Sequence, residues 1–198
     1  MEHLFAKHRM FDVMSAINSE VSNKISNLTA SAFENKSLEE IADKIFEEHK
    51  LITPVLDESK QFQREPKDVP IDIPTQSRFG GYATVNGTKF QIIVPFTGDR
   101  VLFNITPTTF SLNNPYASVV QNELHFTYEI PVGRDKSEVY DEYRRNVENI
   151  KSWLRNTDND VNSFNTKLKS DILIVVTNRK KKIDDDKNAA NSSGIPIR

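Results

Sequence analysis

Cysteine is missing from all 198 residues, which excludes disulfides, thiol nucleophiles and thiolate metal sites together and fits the cytoplasmic location expected for the chain. Long apolar runs are missing too. The longest, Ile172 to Val176, is far too short to span a bilayer, and the N-terminal MEHLFAKHRMFDVM is broken by charge where a signal peptide needs an apolar core. No membrane partner is expected. Nor is there an excess of one charge: a net charge of −2 gives no global attraction for nucleic acid or anionic lipid, so any such binding must be local. Complete chemical motifs are absent as well. His3, His8, His49 and His125 sit in no ligand spacing such as H-E-x-x-H, and Gly80, Gly81 and Gly87 form no phosphate cradle. No catalytic residue, metal or cofactor is assigned.

What is present is an ordinary balance of 37% hydrophobic and 27% charged residues, enough to bury a core as one domain with a helical extension. From about Leu4 to Leu28, Met10, Met14, Ile17, Val21, Ile25 and Leu28 recur in a four-three rhythm that predicts an amphipathic helix; its narrow seam allows a short coiled coil. Ser37 precedes Glu40 at capping-box spacing and opens a second helix through about His49, with Ile41, Ile45 and Phe46 inward. Pro66, Pro70 and Pro74 then forbid a helix, and the alternation of Val69, Ile71 and Ile73 predicts an edge strand.

Asn86-Gly87 between Tyr82–Val85 and Thr88–Phe96 predicts a two-residue hairpin turn, with Gly80-Gly81 as a flexible entry or bulge. Val101, Phe103 and Ile105 predict a short strand stopped by Pro107. Tyr116–Val120 and Leu124–Ile130 predict a second hairpin across Gln121-Asn122-Glu123. The fold class is therefore α+β: an antiparallel sheet of about five or six short strands packed by the N-terminal helices and a long C-terminal helical segment. Residues 1–187 are expected to form a single domain, with 1–54 helical, 55–135 the sheet and 136–187 the long segment, followed by a flexible tail over 188–198.

That long segment holds neither Gly nor Pro, and Val147, Ile150, Leu154, Val161, Phe164, Leu168 and Val175 form one stripe along it, a candidate packing or assembly interface. An unbroken rod would be about 75 Å long. Asn156 to Asp160 is its weak place, because these side chains compete for backbone hydrogen bonds, so a kink and a continuous helix stay open alternatives. Near its end Arg179, Lys180, Lys181 and Lys182 are candidate phosphate contacts, diluted by Asp184-Asp185-Asp186 one turn on. Arg144, Arg145, Lys151 and Arg155 make a second modest patch, with Asp141 and Arg145 spaced to pair. Thr97, Asp99, Arg100, Thr108 and Asn113, on the 97–114 loops, are the candidates for an unfamiliar enzyme site.

The run Pro95-Phe96-Thr97-Gly98-Asp99, then Leu102-Phe103 and Thr106-Pro107-Thr108-Thr109-Phe110-Ser111-Leu112-Asn113, resembles a shared block in a family of poorly characterised bacterial proteins. Phe164-Asn165-Thr166-Lys167-Leu168, the basic end at Arg179 and the closing Gly194-Ile195-Pro196-Ile197-Arg198 follow that family's order, so the likeness covers nearly the whole chain. Asn113-Asn114-Pro115 stands where the family block tends to read Asn-Pro-Pro. The resemblance implies an N-terminal module that precedes a linker and a restriction-endonuclease-like or TIR effector, and hence prokaryotic antiphage defence. It implies no catalytic residue here. The expected function is a non-enzymatic sensing or assembly module that passes recognition or oligomerisation to a C-terminal effector. The expected partners are further copies of the chain or that effector. A nucleic-acid-binding protein and an enzyme remain the alternatives.

Overall fold

The computed structural model describes residues 1–75 and 80–192. In chain order these form β1 (Glu2–His3), β2 (His8–Arg9), α1 (Met10–Ser26), α2 (Leu38–His49), β3 (Val55–Leu56), β4 (Phe62–Gln63), β5 (Lys67–Pro74), β6 (Tyr82–Thr97), β7 (Ile105–Thr106), β8 (Tyr116–Val120), β9 (Glu123–Pro131) and α3 (Ser137–Ser192). The fold is α+β. Residue contacts gather into two compact units where a single domain over 1–187 was expected. The first comprises Met1–Arg9 and Thr53–Asp158, the second Met10–Ile52 and Asn159–Arg198.

In the first unit, β6 is the axis of the sheet. Its 16 residues pair with β9 on one side and in turn with β5, β4 and β3 on the other, and β8 and β1 extend the sheet beyond β9, all antiparallel. β2 and β7 form a separate parallel pair. Alternation sends Phe90, Ile92, Val94 and Phe96 of β6 to the same face as Leu124, Phe126, Tyr128 and Ile130 of β9. Val139, Tyr143, Val147, Ile150 and Leu154 of α3 complete that core. Phe5, fully buried, stacks on Trp153 with ring centroids 5.2 Å apart, and holds a left-handed φ of 56° to get there. Leu4 and Phe5 give their backbone N–H groups to Pro115 and Phe103 carbonyls, so the helix expected from Leu4 starts only at Met10.

The expected turn at Asn86-Gly87 does not form. Both residues lie inside β6, and Gly87 pairs with Val69 of β5 and Pro131 of β9 at once. A Cβ there would come 2.5 Å from the Ile130 carbonyl oxygen and closer still to the Ile71 side chain, so glycine serves close approach between three strands rather than a positive φ. β5 and β6 pair antiparallel from Pro74–Tyr82 onward, and Gly80 (φ 69°) and Gly81 (φ 130°) lead into β6. β5 is an edge strand as its prolines require. Pro70 and Pro74 share a parity along the ladder, and as neither can donate, they belong where the N–H would face outward, which removes donors from the free edge.

Residues Arg100–Asn104 form a 3₁₀ turn, not a strand: the Leu102 N–H folds back onto the Asp99 carbonyl at 3.0 Å, and Leu102 and Phe103 are both fully buried. The second hairpin forms as expected, with Gln121 at φ 53° in its turn.

The second unit consists of α1, a 3₁₀ turn at Ala30–Phe33, α2 and the later part of α3. Ser37 Oγ accepts from the Glu40 N–H at 3.1 Å and Glu40 Oε2 from the Ser37 N–H at 2.7 Å, the reciprocal box expected from the sequence. Val21 and Ile25 of α1 and Ile41 and Ile45 of α2 are buried, and Phe46 is half-buried. Asn165 binds both main-chain groups of Leu51, accepting at 3.1 Å and donating at 2.8 Å.

The α3 helix is continuous through Asn156–Asp160. Thr157 is fully buried, and its hydroxyl donates to the Trp153 carbonyl at 3.1 Å, so its polar group is satisfied within the helix. The helix also continues to Ser192, beyond the expected end at Lys187; positions 193–198 of the expected tail, including Gly194 to Arg198, lie outside the described residues.

Candidate functional site

On α3, Glu142, Arg145, Asn146 and Asn149 fall at three- and four-residue steps and so share one side of the helix. Asn146 accepts from the Tyr116 N–H at 3.1 Å and donates to the Tyr116 carbonyl at 2.5 Å, while Asn149 donates to the Asn113 carbonyl at 3.0 Å. Two helix amides thereby pin the chain as it enters β8. Asn114 donates to the Leu4 carbonyl at 3.0 Å, and His3 lies against Tyr116 with ring centroids 4.1 Å apart. These groups, with Leu112, line an open cleft of about 560 Å³, a volume in the range of ligand sites. Its lining offers a cation (Arg145), an anion (Glu142) and an aromatic pair, which are means of recognition. Among the described residues the buried Tyr128 phenol has no partner in good hydrogen-bond geometry, the Asn146 amide being its polar neighbour. Burial pushes its pKa up, the Glu142 carboxylate adds to the rise, and the Asn146 amide opposes it.

Of the five loop residues singled out in the sequence, Asn113 lines this cleft. Thr97 ends β6 in an exposed position, Asp99 precedes the 3₁₀ turn and takes the Leu102 N–H at 3.0 Å on its carbonyl, and Arg100 and Thr108 are exposed elsewhere. In the sequence, Arg145 appears only as part of a basic patch and His3 only as a rejected metal ligand, while Glu142 and Asn149 are not singled out; a polar stripe on α3 away from Val147 and Ile150 is the remaining hint. Arg145 was expected to pair with Asp141, yet Asp141 pairs with Arg144 at 3.2 Å. Lys151 is held by Glu148 at 2.7 Å and Glu58 at 2.9 Å, and these bonds raise its pKa, so two of the four cations of the second basic patch, Arg144 and Lys151, are already paired.

The basic end of α3 is not a free cluster either. Arg179 donates from Nε and Nη2 to the Leu28 carbonyl, and Lys180 pairs with Asp184. Lys181 and Lys182 remain exposed. Six of the seven stripe residues, Val147, Ile150, Leu154, Val161, Phe164 and Leu168, are buried within the chain and offer no open interface. The seventh, Val175, is 37% exposed, because after Leu168 the buried line runs on through Ile172 and Val176 at four-residue steps.

The histidines divide similarly. His125 is buried and meets Glu123 at 2.8 Å, His49 bonds the Ile45 carbonyl at 2.8 Å, and His8 is exposed in β2. Among the described residues, no group of three His, Asp or Glu side chains comes together to hold a metal ion, and no helix is long and apolar enough to cross a membrane. No protein-family model matches the chain, and no curated protein or solved structure matches it either.

Proposed function

We propose that the chain is a non-enzymatic recognition and assembly module of a cytoplasmic prokaryotic defence protein, and that α3 passes the recognised or assembled state toward an effector carried C-terminal to it. One observation carries this reading: a single helix supplies Val147, Ile150 and Leu154 to the core of the first unit and Val161, Leu168 and Val176 to the buried set of the second. A helix built into two cores gives loosening of one a physical path to the other. The cleft beside Arg145 supplies recognition chemistry. In the second unit Leu173, Ile174 and Val175 are 36%, 58% and 37% exposed, within a stretch from Ile172 to Asn178 that carries no charge, which supports assembly between copies.

The test is light scattering of the isolated protein at concentrations on the order of tens of micromolar. A dimer or larger species is expected, and a strict monomer overturns the assembly reading. The nucleic-acid alternative has less behind it, since Arg179 and Lys180 are already engaged within the second unit.

A further inference from the structure

Ile41 and Ile45 lie one turn apart on α2, and with Leu28 and Ala32 from the segment after α1 they floor a hollow of about 390 Å³ within the second unit. Ile41 and Ile45 are buried, Leu28 and Ala32 half-buried. Lys24, Lys36, Lys44, Glu40 and Glu48 stand around this apolar floor. The two carboxylates are already committed: Glu40 accepts from the Ser37 N–H in the capping box, and Glu48 holds Lys24. Lys36 and Lys44 make no ion pair within 4 Å among the described residues, and Lys44 acts on Glu48 only through space. Three lysines against two glutamates leave the rim one positive charge, next to a surface that gains from burying hydrocarbon.

We propose that this hollow binds an organic monoanion with an apolar body, a carboxylate on a short alkyl or aryl frame, with Ile41, Ile45, Leu28 and Ala32 against the body and Lys36 and Lys44 on the charge. Its volume lies in the range of small-molecule sites. An inorganic anion would leave the floor unused, and an uncharged hydrocarbon would forgo the attraction of the two cations. The lysines are solvent-exposed, so each adds a modest, salt-screened attraction, and affinity depends on charge and body together. This inference stands apart from the assembly reading, because ligand binding and oligomeric state are read separately.

The experiment titrates decanoate into the whole chain by calorimetry, with decanol as the uncharged counterpart. Saturable binding of decanoate is expected, tighter than decanol, and weakened about fivefold or more by Lys36→Glu and by Lys44→Glu. Lys181→Glu makes the same charge change outside the hollow and should leave binding as it was. Lys44→Gln, which removes charge without reversing it, decides the matter if the reversals disturb helicity. The inference is overturned by an absence of saturable decanoate binding, by equal affinity for decanol, or by weakening as strong in Lys181→Glu as in Lys44→Glu or Lys44→Gln.

Discussion

Arg179 donates two hydrogen bonds to the main-chain carbonyl of Leu28, from Nε at 3.0 Å and Nη2 at 2.8 Å. Leu28 lies just past the end of α1, where carbonyls lose their helical partners, and the guanidinium fork supplies two donors at once. Arg179→Ala should therefore cost about 1–2 kcal/mol in urea unfolding, and Arg179→Lys should recover only part of it. Lys181→Ala and Lys182→Ala, both at exposed positions, should change stability by less than about 0.5 kcal/mol. Equal costs at all three would remove the capping role.

Gly87 sits where a side chain meets the Ile130 carbonyl and the Ile71 side chain. Ile71 can shift; the backbone of β9 cannot without breaking pairs. Gly87→Ala should lower stability by at least about 2 kcal/mol, seen as a drop in Tm. A neutral substitution would contradict the packing of β6 between β5 and β9.

Asn156 to Asp160 should be protected from amide exchange to the same degree as the helical turns on either side, since Thr157 is buried and the ladder is unbroken. Fast exchange confined to these residues would show a break in α3.

Alkaline pH supplies a further test. Burial pushes the Tyr143 phenol from its ordinary 10.0 up to about 12, with the Glu58 carboxylate adding to the shift, and burial pushes Tyr128 up as well. From pH 10.0 to about 12 the unfolded chain sheds protons that the folded chain keeps, so the folded state binds more protons and stability falls as pH rises. Below that window both states keep the protons and stability is flat with respect to these groups. Urea midpoints should decline through the window in the natural protein and decline less in Tyr143→Phe, which cannot ionise. An equal decline would show that Tyr143 titrates normally.

Local chemistry was legible in several places where neighbours in sequence are also neighbours in space. The capping box needs only Ser37 and Glu40, the β8–β9 hairpin only its own turn, and the inward line from Val147 to Leu168 only the helical period. Asn86-Gly87 misleads because the same dipeptide suits a tight turn and a crowded strand, and the choice rests with Ile71 and Ile130, which sit on other strands. The polar run at Asn156–Asp160 favours a break on propensity alone, yet burial of Trp153, Leu154 and Val161 on either side holds the helix through it. The cleft was hidden for a related reason. Arg145 and Asn149 belong to α3, His3 to β1 and Asn113 to a loop, and no periodicity ties them together.

Coupling of the two cores through α3 is tested most directly by amide exchange in Ile150→Val. Ile150 is fully buried in the core of the first unit, and this deletion should cost about 0.5–1.5 kcal/mol, small enough to leave the chain folded. Exchange is predicted to quicken about two- to tenfold both around Ile150 and across residues 161–176 in the second unit. Faster exchange confined to the first unit, with 161–176 unchanged, would contradict it.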